Sequence, residues 1–273
     1  MSSIPAPRPD RTCLVTGASS GIGEEIARQL AARGQGVTLV ARSEDRLRAL
    51  ADELSGAHGV RAEVLACDLS DAEARAGLPA RLDALDLSVN VLINNAGVST
   101  LGPVWRSDPD AELAMIRTDV EAVVHLCSLL TPGMVARRSG CILNVASTAA
   151  FQPIPGQAGY GASKAFVLSY SHALRVELRP YGVTVTALCP GPVETEFGAT
   201  AGFDDAESHE LMPAPFWVTA DEVARVGIEG MDANRAVAIP GVANRASAAV
   251  GWLTPRKVLL NFLAKQHPGM RAS

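Results

Sequence analysis

Ser147, Tyr160 and Lys164 have types and spacings that could act on a carbonyl group. Tyr160 is one of only three tyrosines, and in "VASTAAFQPIPGQAGYGASK" it lies 13 residues after Ser147 and four before Lys164. Residues four apart on a helix share a face, so a helix here would set the Lys164 ammonium beside the Tyr160 phenol. A free tyrosine ionises near pH ~10 and is a poor proton donor or acceptor at neutrality. An adjacent ammonium favours the phenolate and lowers that value toward a useful range. Ser147 ends an apolar run, where its hydroxyl could hydrogen-bond a carbonyl oxygen. If Tyr160 gives a proton while a hydride reaches the carbon, a carbonyl becomes an alcohol.

A second stretch could hold the hydride carrier. "TGASSGIG" (16–23) follows the first apolar run and opens a helical pattern. Gly17, Gly21 and Gly23 permit a tight turn and close approach of backbone to a ligand. Amide N–H groups and the positive end of a helix then face an anion, most simply a pyrophosphate. The next apolar run ends in Ala41 and Arg42, where an acid would hold a free ribose 2′-hydroxyl. An acid would repel a 2′-phosphate, whereas a guanidinium pairs with it through two charge-assisted bonds. Arg42, with the Ser20 hydroxyl beside it, therefore favours NADP over NAD. Asp68 in "CDLSD" (67–71) could accept from an adenine amino group. In "NNAG" (94–97), Asn94 and Asn95 could tie neighbouring loops, and Ala96 and Gly97 leave room for a ribose.

The elements that must position these groups alternate. Short apolar or β-branched runs occur at 12–16, 36–41, 60–67, 89–95, 140–147, 182–189 and 235–240. Their continuous hydrophobicity fits strands covered on both faces. Helical spacing fills the gaps, as in 24–34 and 43–56, with Gly34 and Gly56 fitting helix stops. Thr219 and Glu222 have the spacing of a capping box. The alternation predicts an α/β fold with a doubly wound parallel sheet. Every candidate ligand-binding stretch then falls at the C-terminal end of a strand, where open parallel sheets bind ligands. Residues 192–218 form a long connection fitting a lid, and Phe197, Phe203, Met212, Phe216 and Trp217 would either make its pocket apolar or anchor it.

Composition excludes other classes. Of 273 residues, 48% are hydrophobic and 19% charged, a globular balance, and the net charge of −5 gives no reason to expect nucleic-acid binding. Five cysteines without a CxxC pair read as buried free thiols of a reducing, cytoplasmic setting. The five histidines are scattered, so no metal is expected. The N-terminus shows no secretory signal, and no transmembrane helix is expected.

The motifs taken together resemble the short-chain dehydrogenase/reductase family of the TGxxxGxG, YxxxK type. "TGASSGIG", "NNAG", "NVAS", "YGASK" and "PGPVET" occur in the family's order, and the likeness covers about residues 10–240. Wording around the site is similar to ketoacyl-reductase-like members. The resemblance implies a Rossmann-type fold and an oxidoreductase reducing a small-molecule carbonyl, a ketone or aldehyde; Arg42 makes NADP the expected cofactor, and the aromatic residues of 192–218, where they line the pocket, make the substrate apolar. It implies substrate positioning by Ser147, acid/base work by Tyr160, and ribose binding with electrostatics by Lys164. The implied cofactor-binding set is Gly17, Ser19, Ser20, Gly21, Ile22, Gly23, Arg42, Asp68, Leu69, Asn94, Asn95, Ala96, Gly97, Tyr160, Lys164, Pro190, Gly191, Val193 and Thr195.

One position departs from the pattern. Asp119 stands where the family usually carries an Asn whose backbone carbonyl holds a water in a proton relay and whose side chain helps a local helix distortion. Asp119 joins the expected catalytic set with its carbonyl kept, its amide donors lost and a negative charge that it could add near Lys164. Its carboxyl either takes a proton or pairs with a basic neighbour. Two alternatives remain open: an NAD-dependent alcohol dehydrogenase of the same family, and a nucleotide-binding scaffold with weakened catalysis.

The chain divides into a dinucleotide-binding and catalytic domain, 1–240, and a basic helical extension, 241–273. Residues 1–232 hold 18 basic and 29 acidic residues, while the last 41 hold six basic and no acidic ones. Val258, Leu259, Phe262 and Leu263 have helical spacing, with Pro255 suited to a first turn. The extension could dock on protein, lie on an anionic membrane or stay disordered. Docking within a homo-oligomer is the expectation.

Overall fold

The structure, a computed structural model, describes residues 3–195, 197, 198, 213–255 and 257–260. All seven expected strands form: β1 (Arg11–Thr16), β2 (Val37–Val40), β3 (Ala62–Val64), β4 (Ser88–Asn94), β5 (Gly140–Val145), β6 (Val183–Leu188) and β7 (Val237–Ala238). They pair in parallel in the order β3-β2-β1-β4-β5-β6-β7. The chain leaves β3 at one edge and re-enters beside β1 as β4. This reversal opens the crevice between β1 and β4 in which such sheets hold ligands.

The helices are α1 (Gly21–Ala31), α2 (Glu44–His58), α3 (Ala72–Ala76), α4 (Leu78–Asp83), α5 (Pro109–Ile116), α6 (Ala122–Arg137), α7 (Ala158–Leu178), α8 (Ala220–Asp232) and α9 (Val242–Leu253). A π-turn, Arg117–Glu121, joins α5 to α6. Successive strand side chains point to opposite faces, so each strand feeds two cores. Cys13, Val15, Leu39, Ile93 and Leu143 meet Ile26, Leu30, Leu47 and Ile228 on one face. Leu14, Val40, Leu92, Ile142 and Val185 meet Leu126, Leu130, Val167 and Leu174 on the other. The two-sided burial explains why the strands read as unbroken apolar runs.

Helix α2 corrects one expected boundary. It runs through Gly56 and stops at Gly59, whose φ of +64° is the left-handed cap that glycine adopts without a Cβ clash. Half of the expected capping box is seen: Thr219 caps α8, its hydroxyl accepting from the Glu222 N–H at 3.2 Å. All five cysteines are free and buried, Cys13 and Cys141 in the first core and Cys67, Cys127 and Cys189 in the second. Phe203 and Met212 of the expected lid, and Phe262 and Leu263 of the tail, lie outside the described residues. Among the described residues no helix is long and apolar enough to cross a membrane.

Candidate active site

The glycine turn after β1, the candidate phosphate turn, has the positive-φ backbone that its glycines implied. Gly17 and Gly21 have φ of +64° and +57°. Ser20 is the N-cap residue of α1, yet its hydroxyl makes no capping bond. Gly23 has ordinary dihedrals but no room, since a Cβ there would overlap the Gly17 carbonyl and Asn95 Nδ2. Thr16, absent from the expected set, locks the turn to β4. Its hydroxyl donates to Ile93 O at 3.1 Å and accepts from the N–H groups of Asn95 (2.9 Å) and Ala96 (3.1 Å). Asn95 Nδ2 returns a bond to Thr16 O at 3.0 Å. Ser19, Ser20 and Gly21 border a cavity of about 550 Å³ whose other walls include Thr195, Glu194, Arg28 and Arg46. It adjoins the phosphate turn rather than Tyr160. Arg28 is occupied with Glu24, Glu25 and Glu53. Arg46 was not singled out from the sequence, although it lies on the same helix as the acids following Arg42.

Around this turn the expected residues take distinct places. Arg42 is exposed at the end of β2. Asp68 accepts from the N–H and hydroxyl of Ser70 at 2.9 and 2.8 Å, and the Ser70 N–H, ahead of burial, holds its carboxyl below the usual range. Leu69 is buried and its carbonyl accepts from Arg75, which is fully buried and also reaches Glu121 and His125. Asn94 turns inward. Its amide donates to Asn144 Oδ1 at 2.8 Å, and Asn144 donates to Ser171 at 2.9 Å, so this side chain fastens β4, β5 and α7 together. Thr195 packs against Gly21, and Val193 bridges to Val218. Gly191 has Asn244 of α9 packed where a Cβ would stand, and Asn244 donates to Phe216 O at 2.9 Å. The extension thus begins as part of the body.

The candidate reacting groups converge beyond the end of β5. Ser147 follows that strand and caps a short 3₁₀ turn, accepting from Ala149 N–H at 3.1 Å and donating to Pro190 O at 3.4 Å. Tyr160 and Lys164 lie one turn apart on α7, with Lys164 Nζ 5.6 Å from the Tyr160 ring centroid. The Ser147 hydroxyl is near enough to Tyr160 to favour its phenolate. Phe197 leans on the Tyr160 ring at 5.9 Å between centroids. Asp119 stands in the π-turn, where the extra residue per turn projects its carboxylate inward. Its Oδ1 accepts from the Val98 N–H at 2.8 Å, and its Oδ2 lies 3.0 Å from Lys164 Nζ. Lys164 also donates to Val145 O at 3.3 Å.

Electrostatics corrects the expected direction at Tyr160. Burial raises the ionisation of its phenol above the ordinary value, and the Asp119 charge adds to that rise. The Lys164 ammonium and the Ser147 hydroxyl oppose it without winning. At Lys164, burial favours the neutral amine, but the Asp119 carboxylate, joined by the Tyr160 phenolate when it forms, outweighs it and holds the ammonium charged. Burial raises the Asp119 carboxyl above the ordinary carboxylate range, against the pull of the Lys164 charge and the Val98 N–H, while the 3.0 Å contact with Lys164 gives it the basic partner.

The arrangement presents a hydroxyl, a phenol and an ammonium beside a glycine-lined phosphate turn. A family model described as short chain dehydrogenase matches residues 11–205. The chain is 32% identical over 273 residues to a very-long-chain 3-oxoacyl-CoA reductase of Anas platyrhynchos, covering 95% of this chain and 80% of that protein. It is 38% identical over 214 residues to a sulfoacetaldehyde reductase of Chromohalobacter salexigens, covering 77% and 83%. A solved short-chain dehydrogenase from Sphingobium yanoikuyae in complex with NADPH matches with a TM-score of 0.79 at 33% identity, over 96% of this chain and 98% of that one.

Proposed function

Since this chain belongs to the short-chain dehydrogenase/reductase family, we propose that it reduces a ketone or aldehyde to an alcohol with NADPH. The observation that carries the reading is the convergence of Ser147, Tyr160 and Lys164 beside the crevice that begins at Gly17. The residues fit a dinucleotide: Gly17 and Gly21 keep the turn open and Ser20 leaves its hydroxyl out of the helix cap. When bound, the reduced nicotinamide supplies the hydride.

The chain's own residues do the rest. The α1 N-terminus with Ser19, Ser20 and Ile22 holds the pyrophosphate, and Arg42, with Arg46 on the cavity wall, selects the 2′-phosphate. Asp68 and Leu69 face the adenine, Ala96 and Gly97 the ribose, and Pro190, Gly191, Val193 and Thr195 the nicotinamide side. Ser147 donates to the substrate oxygen and orients it. Tyr160 delivers a proton to that oxygen as it becomes an alcohol. Lys164 holds ribose hydroxyls and keeps a positive charge beneath the phenol.

The NADP preference rests on Arg42 and on the NADPH bound by the Sphingobium relative. An apolar substrate is supported by Phe197 against Tyr160 and by Phe216 and Trp217, half-buried near α9. The relatives act on carbonyls as unlike as an acyl-CoA and a sulfonated aldehyde, so the substrate itself is not carried over. A homo-oligomer is supported by the outer face of α9, where Val242, Val250, Trp252 and Leu253 are exposed. Five buried free thiols support a cytoplasmic location.

The test is a screen of ketones and aldehydes with purified protein, following cofactor fluorescence with NADPH and NADH separately. Turnover of apolar carbonyls with NADPH is expected. Binding of NADPH without turnover of any carbonyl would favour a scaffold role instead.

A further inference from the structure

Asp119 differs from the other reacting groups in having no task in the reading above. It is 1% exposed, and its carboxylate makes a 3.0 Å ion pair with a lysine that is 4% exposed. A lone charge in such a place is expensive, and removing one partner strands the other. The surroundings are fitted to the pair. The Val98 N–H takes Oδ1 at 2.8 Å, Val145 O takes a second Lys164 proton at 3.3 Å, and Gly97 leaves the space above. A Cβ on Gly97 would stand 3.0 Å from Lys164 Nζ and 3.3 Å from Asp119 Oδ2. The π-turn aims residue 119 inward.

We infer that Asp119 is a positioning residue that clamps the Lys164 ammonium through its carboxylate and, by setting a negative charge next to the positive one, keeps Tyr160 in its protonated, proton-giving form. This deepens the proposed reductase function and rests on it for its catalytic meaning. An isolated lysine below a tyrosine stabilises the phenolate. A lysine already paired with a carboxylate does so less, because the two charges nearly cancel at a distance. The phenol direction found above agrees with this. Reduction consumes the protonated phenol and oxidation of an alcohol needs the phenolate. The clamp therefore extends reduction to higher pH and delays the onset of oxidation.

Other groups facing Tyr160 and Lys164 do not supply this charge. Ser147, beyond β5, is uncharged. Cys189, after β6, is a buried thiol whose ionisation burial pushes up to about 12. Glu112 of α5 reaches Gly159, the residue before Tyr160, but is held by Thr100 Oγ1 at 2.7 Å. It serves as the control.

The test titrates tyrosinate absorbance in the cofactor-free protein, subtracting Tyr160→Phe to remove Tyr170 and Tyr181. The wild-type midpoint of Tyr160 should lie above the ordinary tyrosine value. Asp119→Asn should lower it by about one pH unit, the low end of what a nearby charge does. Glu112→Gln should leave it in place. In turnover, the alkaline limb of reduction in Asp119→Asn should move down by the same amount. A wild-type midpoint at or below the ordinary value overturns the inference even if Asp119→Asn does not fold. So does an unmoved or raised midpoint in Asp119→Asn, or a larger drop in Glu112→Gln. Since the titration needs no turnover, a protein that reduces no carbonyl refutes the enzyme reading while the titration still decides the charge relationship.

Discussion

The side-chain amide of Asn95 donates to the Thr16 carbonyl at 3.0 Å and lies 3.3 Å from that of Gly17, so the end of β4 holds the turn that follows β1. Gly23 completes this join by leaving its Cβ position to those same atoms. Gly23→Ala must therefore push Asn95 off the turn or shift the start of α1. Overpacking of this kind costs about 1–3 kcal/mol. Thermal melts should show the loss, and calorimetry should show weaker NADPH binding than any loss of stability accounts for.

Tyr160→Phe removes one oxygen and keeps the ring against Phe197. Turnover should fall by at least ~10² to 10⁴, the usual share of a general acid, while NADPH binding measured by fluorescence stays near wild type. Substantial residual turnover would take Tyr160 out of the proton-transfer role.

With Arg42 on the 2′-phosphate as proposed, Arg42→Ala removes a charge-assisted contact worth about 1.5–3 kcal/mol. The KM for NADPH should rise much more than the KM for NADH. Equal effects on both would sink the assignment of Arg42 to the 2′-phosphate.

Arg75 is fully buried between α3 and α6, donating to Leu69 O, to Glu121 and, at 3.3 Å, to His125 Nδ1. Arg75→Ala strands a buried carbonyl and opens a cavity, a combined cost of about 3 kcal/mol. Denaturant midpoints should drop accordingly. Because Leu69 sits beside Asp68, the KM for cofactor should rise as well. A drop in stability with an unchanged KM would separate Arg75 from the adenine side.

Truncation after Gly241 removes α9 and with it Asn244, which packs on Gly191. The melting temperature should fall, and light scattering should report a smaller oligomeric mass. A stable truncated chain of unchanged mass would exclude α9 from both the body and an interface.

The strands were legible because two-sided burial writes itself as an unbroken apolar run, and Ser147, Tyr160 and Lys164 because one strand–helix unit carries all three. Gly56 and Gly59 are equally good helix stops on paper. Only the backbone shows which adopts positive φ. The resemblance placed the Asp119 charge near Lys164 and left pairing or protonation open; the direct 3.0 Å contact was not legible, since it joins residues far apart in sequence through a π-turn that no hydrophobic period marks. Arg75 reads as a surface charge on a short polar helix, and nothing local announces the carbonyl of Leu69 above it. The Asn94–Asn144–Ser171 chain hid for a similar reason: one Asn of "NNAG" faces the phosphate turn and the other the core, and the letters are the same.

The five thiols are divided between the two sides of the sheet, and burial pushes the ionisation of Cys127, Cys141 and Cys189 up to about 12. A thiol reagent attacks only the exposed thiolate, so alkylation must wait for the chain to open. Cys13 and Cys141 then act as a clock for the layer of α1, α2 and α8, and Cys127 and Cys189 as one for the layer of α6 and α7. Mass spectrometry of timed alkylation reads both clocks in one tube. Layers that open together will label all four at one rate. If one side of the sheet lets go first, its pair will label early, and cofactor added beforehand will slow whichever pair guards the crevice.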